Sequence, residues 1–160
     1  MSKGALVLDA NVLIGFHKAG WFESLAFWTP DYELLVPKTV WDDEFKPRRD
    51  IETHPEWLSV VKVTDRINPA NPGQLSQNDW CGLLLAQSRD AILITSDKRL
   101  KDRAEDEYEI VTKWSGSFLL DTFTRCGIDT EDYQLGISDY ISDSYLPKPV
   151  CDELRDAEKP

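Results

Sequence analysis

Acidic residues recur where an α/β fold could gather them into one site. Asp9 ends the apolar run Ala5–Leu8, and Asp97 stands two residues after the run Ala91–Thr95. In an open α/β sheet, ligands bind beyond the carboxyl ends of the strands, so polar residues just after apolar strands are the first candidates for chemistry. Asp79 lies in the first turn of the helix opening LSQND, and Asp43 and Glu44 lie in the helix after VPKTV. Carboxylates crowded together repel one another unless a cation sits among them. A set of oxygen ligands without His or Cys favours Mg²⁺ or Mn²⁺ over zinc, and such ions activate water and neutralise a phosphodiester in its transition state.

Each acid also has a purely structural reading. Asp9 and Asp97 suit caps for the helices that follow them. Asp79 completes a capping box with Ser76, and Glu44 suits a solvated helix face. The ordered placement of all of them, at strand ends or in the adjoining helices of one small chain, favours the site reading.

The elements that must position these residues follow from periodicity. Ala5–Leu8 predicts a strand buried on both faces. Val12 to Trp28 reads as helical, broken near Ala19-Gly20, with Trp21, Phe22, Leu25 and Trp28 forming an apolar face in its second part. Glu33–Val36 predicts a strand, with Pro37 at the start of a helix that carries Val40, Trp41, Glu44 and Phe45 and ends near Pro47. Trp57–Val63 suits a strand or a helix end, and NPANPG at 68–73 a loop. Ser76–Ser88 is the clearest helix. Ala91–Thr95 then predicts a strand, followed by a charged helix from Lys98, a strand around Glu109–Val111 and a helix over Ser117–Arg125. Strands alternating with helices predict an α/β sandwich with a mainly parallel central sheet flanked by helices. From Asp129 onward the chain turns acidic and irregular, so the domain is assigned to residues 1–128. Residues 129–160 form an acidic extension, packed on the domain or in a dimer interface.

The chain has 160 residues, with 18 Lys plus Arg against 29 Asp plus Glu and a net charge of −11. This size suits one domain with one core. The acidity excludes a protein whose whole surface holds nucleic acid, but not an enzyme that handles phosphates through metal ions. Three widely spaced cysteines give neither a disulfide framework nor a zinc knuckle. The sequence predicts no signal peptide and no membrane helix, hence a cytoplasmic protein. His17 and His54 read as surface or packing residues. Trp21, Trp28, Trp41 and Trp80 read as core rather than as base-stacking platforms, and Cys81 as a small buried hydrophobe.

Taken together, the motifs resemble the PIN-domain ribonucleases. LVLDANVLI is similar to their opening D-x-N motif, VPKTVWDDEF to their Glu-bearing second helix, and LSQNDWCGLLLAQSRDAILITSDKRL to their third and fourth acid motifs. FHKAGWFESLAF with LLVP, and WSGSFLLDTFTRCGI, resemble the VapC-like prokaryotic members, so the likeness covers roughly residues 4–128. It implies a PIN-like fold in which Asp9, Glu44, Asp79 and Asp97 hold Mg²⁺ or Mn²⁺, supported by Asn11 and by Thr95 or Ser96. At the second acid the family register counted from Pro37 falls on Asp43, whereas residue type and the following Phe45 favour Glu44.

By resemblance the activity is metal-dependent RNA cleavage by a homodimeric toxin, restrained by a small antitoxin protein that occupies the acidic crevice. Lys46, Arg48 and Arg49, with Lys98, Arg99, Lys101 and Arg103 after the fourth acid, are the candidates for gripping RNA in an otherwise acidic chain. Two other classes compete. A non-catalytic PIN-like interaction module would keep the fold without the chemistry. A phosphotransferase of the haloacid-dehalogenase type would use Asp9 as nucleophile, but needs a second acid where Asn11 stands.

Overall fold

A computed structural model describes residues 4–18, 20–45, 53–63 and 76–127 of the chain. The runs ALVL, LLV and ILI are apolar without alternation, the pattern of strands covered on both faces. They form β1 (Gly4–Leu8), β2 (Tyr32–Pro37) and β4 (Ile92–Thr95), joined by β3 (Leu58–Val61) and β5 (Thr112–Trp114) in one sheet of order β3-β2-β1-β4-β5. Every pairing is parallel, with Leu6 opposite both Leu34 and Ile92. The ambiguous stretch Trp57–Val63 is thus an edge strand.

Side chains alternate across a strand, so each strand feeds two cores. Leu6, Leu8, Leu34, Val36 and Ile94 pack with α1 (Ala10–Lys18), a 3₁₀ helix (Phe22–Trp28) and α5 (Ser115–Cys126). Val7, Leu35 and Leu93 face α3 (Gln77–Arg89) and α4 (Lys98–Tyr108). The result is three layers, α/β/α, as the alternation of elements predicts. Between β2 and β3, α2 (Lys38–Val40) runs directly into a π-helical turn, Trp41–Phe45.

Aromatic contacts fix the first layer. Phe118 is fully buried, stacks on Trp28 at 4.9 Å between centroids and meets Phe16 at 5.6 Å. The Trp28 indole donates to Thr122 Oγ1 at 2.9 Å, and the Thr122 hydroxyl donates on to the Phe118 carbonyl. Trp28, Trp41 and Trp80 are core residues and Cys81 is buried, as expected.

Two elements differ from the sequence reading. The second helical part is 3₁₀, and its buried residues Phe22, Leu25 and Trp28, which recur every three positions, line up best at three residues per turn. The strand expected at Glu109–Val111 begins later, at Thr112. Glu109 takes a left-handed conformation (φ 55°) that ends α4, and the Glu109 and Ile110 amides both donate back to Ala104. Glu109 and Ile110 therefore terminate a helix, while the Val111 carbonyl already accepts the Leu93 amide of β4 at 2.9 Å. The loop 68–73 and the extension 129–160 lie outside the described residues. Among the described residues, no helix is long and apolar enough to cross a membrane.

Phe118→Ala is expected to cost about 3–5 kcal/mol, read as a lower urea midpoint at unchanged slope.

Candidate active site

The chain leaves β1 toward β2 and β3, then returns to lay β4 on the other side of β1. The carboxyl ends of β1 and β4 therefore flank the point where strand order reverses, where a crevice opens in α/β sheets. Asp9 sits at this point. It is 8% exposed, and its amide donates to the Ile94 carbonyl at 3.1 Å, extending the β1–β4 ladder.

Both Asp9 carboxylate oxygens are held. The Thr95 hydroxyl donates to Oδ2 at 2.8 Å, and the Ala10 amide donates to Oδ1 at 2.8 Å. Thr95 Oγ1 in turn accepts the Asp97 amide at 3.0 Å, so one hydroxyl ties the ends of both strands together. Thr95 is fully buried and Ser96 beside it is buried as well. Asp97 caps α4, its Oδ1 accepting from the amides of Arg99 (2.9 Å) and Leu100 (3.2 Å). Ser76 caps α3, its hydroxyl accepting the Asp79 amide at 3.1 Å. The capping roles of Asp97 and Ser76 are thus real, and they coexist with a shared electrostatic environment.

That environment is repulsive. Burial, then the charge of Asp79 and that of Glu44, raise the Asp9 pKa to about 7 against the hydrogen bonds from Thr95 and Ala10. Burial and the charge of Asp97 raise Asp79 above its usual value, opposed by a hydrogen bond with Ser76. No lysine or arginine is among the groups that shift Asp9 or Asp79. Asp9 thus feels Asp79 and Glu44, and Asp79 feels Asp97, although the four arrive from separate elements.

The π turn separates Glu44 from Asp43. Trp41 and Phe45 are both buried, with ring centroids 4.9 Å apart. Anchored at both ends, the turn leaves Asp43 exposed while Glu44 is half-buried and its charge reaches Asp9. Asn11, in the first turn of α1, is exposed.

Of the expected RNA-contacting residues, Lys46, Arg48 and Arg49 lie outside the described residues. Lys98 and Arg99 are exposed on the first turn of α4, next to Asp97. Lys98 pairs with Asp102, Lys101 with Glu105 and Arg103 with Glu107, each one turn along the same helix. Arg99 makes no such pair among the described residues.

The donor set at the crevice is oxygen-only and mutually repulsive, which fits a hard divalent cation. Among the described residues, no three His, Cys, Asp or Glu side chains converge into a ready-made cage. Mg²⁺ does not require one, because it is commonly held by one or two carboxylates while keeping several waters. Neither a scan against protein-family models nor a search of curated proteins finds a match for this chain.

Asp9 makes stability pH-dependent. The folded state retains its proton up to about pH 7, whereas the unfolded chain releases it near the ordinary value of 3.8. Between those values the folded state binds more protons, so this contribution is full below the lower value and lost as pH rises through the upper one. Asp9→Asn should therefore be more stable than wild type by roughly 2 kcal/mol near pH 8, after allowing for one lost hydrogen bond. The gain should vanish near pH 4, as followed by urea unfolding.

Proposed function

We propose that this protein is a Mg²⁺- or Mn²⁺-dependent ribonuclease of PIN type that hydrolyses RNA phosphodiesters at the β1–β4 crevice. The observation that carries this reading is a buried Asp9 carboxyl, held by Thr95 and the Ala10 amide, that feels Asp79 and Glu44 from separate elements, while Asp79 in turn feels Asp97. A cluster with only a structural purpose has no need of mutually repelling acids. A cation at the same point removes the repulsion.

In this proposal Asp9, Asp79, Asp97 and Glu44 would hold a hydrated ion, one or two of them directly and the others through its waters. When bound, it would activate a water for attack at phosphorus and offset the charge that develops on the phosphate. The chain's own residues provide position. Thr95 and the Ala10 amide fix both oxygens of Asp9, and the Asp97 amide locks the Thr95 hydroxyl. The Asp97 carboxylate is fixed by the first turn of α4. Arg99 and Lys98, exposed on that same turn, are placed to contact flanking phosphates. A cytoplasmic toxin restrained by a small antitoxin protein is the biological setting we propose, in keeping with the resemblance in the motifs.

The test is cleavage of labelled RNA by the purified chain with Mg²⁺ or Mn²⁺. Asp79→Asn and Asp97→Asn should each lower kcat/KM by roughly 100-fold or more, because even outer partners of a metal site cost about 10- to 100-fold when removed. Circular dichroism should show the fold retained in both variants. Cleavage that persists in chelator, or in both variants, would overturn the proposal. Failure of every RNA to be cut, together with no Mn²⁺ binding, would favour the non-catalytic module.

A further inference from the structure

At the far end of α1 from Asp9, a cavity of about 400 Å³ is lined by His17, Gly20, Phe22, Glu23, Thr53 and His54. The nine residues of α1 span roughly 13 Å, so this cavity and the carboxylate crevice are separate places. It collects both histidines of the chain, which the carboxylate crevice does not use.

Its chemistry is that of an acceptor with aromatic walls. Glu23 is exposed and, among the described residues, is the only formally charged one of the lining and has no hydrogen-bond or ion-pair partner. The His17 ring meets Phe22 edge-on at 5.4 Å, and Phe22 is itself buried between Phe45, stacked at 5.3 Å, and Trp57 at 5.2 Å, so the rings that face the cavity are the imidazoles. His54 is set edge-on against Trp41 at 6.0 Å, with its Nδ1 3.0 Å from the Pro55 carbonyl. With Nδ1 donating to that carbonyl, His54 Nε2 is an acceptor. The Thr53 hydroxyl adds another polar group, and no Lys or Arg lines the cavity among the described residues. The C-terminal end of α1 adds its partial negative charge.

A planar, donor-rich cation satisfies such a lining, and the protein already holds one in the same manner. The Arg125 guanidinium donates to Asp31 at 2.8 Å, lies 4.0 Å over the Trp28 ring and 5.7 Å from that of Tyr32. A carboxylate beside aromatic faces matches a guanidinium fork better than the compact ammonium of lysine. A guanine base also offers paired donors to a carboxylate, but it arrives with phosphate, which Glu23 and a net charge of −11 repel.

We propose that this cavity receives an arginine side chain of a protein partner, its guanidinium paired with Glu23 and set against the His17 and His54 rings. The acidity of the chain draws basic partners to its surface, and this cavity gives one of their side chains a specific seat. The proposal does not depend on the ribonuclease reading.

Amide NMR spectra of the full chain, titrated with N-acetyl-arginine amide at constant ionic strength, test it. Saturable shifts at Gly20, Glu23 and His54 are expected, with a dissociation constant on the order of 10 mM for one isolated side chain. N-acetyl-lysine amide should bind several-fold more weakly. Glu23→Gln should abolish the shifts while leaving the rest of the spectrum in place, and Asp79→Asn should preserve them. Any of four results would overturn the proposal: no saturable shift at these amides, equal response to the lysine probe, unchanged binding in Glu23→Gln, or preferential binding of guanosine monophosphate. Tighter binding of free arginine than of the capped form would also overturn it, in favour of a small-molecule site.

Discussion

The hydrogen bond from the Thr95 hydroxyl to Asp9 joins the two halves of this protein at the site proposed for its chemistry. Parallel pairing of β1 with β4 brings the two residues to adjacent strand ends. The strand ends are buried between helix layers, so the carboxylate is taken out of water and its charged form is disfavoured. What remains to hold it is a hydroxyl, a backbone amide and whatever cation reaches the crevice. The same hydroxyl accepts the Asp97 amide, so the geometry of one acid is transmitted to the next.

Most of the fold can be understood as support for that junction. Leu6, Leu8 and Ile94 anchor one face of the central strands and Val7 and Leu93 the other, which fixes where the strands end and hence where Asp9 and Thr95 fall. Helix starts then deliver the other acids. α3 and α4 begin at Ser76 and Asp97, and their caps hold Asp79 and Asp97 in first turns or at the cap itself. Polar groups that terminate secondary structure and polar groups that gather charge are here the same atoms. Removing the Asp97 carboxylate therefore perturbs a helix end as well as the field on Asp79.

The sequence carried much of this in residue types alone. An apolar run followed by Asp, a run followed by Thr-Ser-Asp, and Ser76 three residues before Asp79 have direct physical meaning as strand ends and caps. What was not legible depended on helical geometry and packing. Spacing alone could not separate Asp43 from Glu44, because the choice rests on a π turn pinned by Trp41 and Phe45. The repeat of three in Phe22, Leu25 and Trp28 was visible, but an α-helix tolerates a similar spacing over so short a stretch. Glu109–Val111 has strand-forming composition, and only the left-handed Glu109 shows that a helix ends there. The cavity that joins His17 and Glu23 to His54 brings together residues more than thirty positions apart, a juxtaposition no local pattern announces.

Burial and like-charged neighbours hold the proton on Asp9 toward neutrality, and in the proposed function a divalent cation relieves this state. Carbon-13 NMR titration of the Asp9 carboxyl, without and then with Mg²⁺, measures it directly. A midpoint of about 7 is expected without the ion, with a marked fall toward the ordinary carboxylate range when it is present. A midpoint near 4 without the ion, or one of about 7 in both conditions, would contradict it.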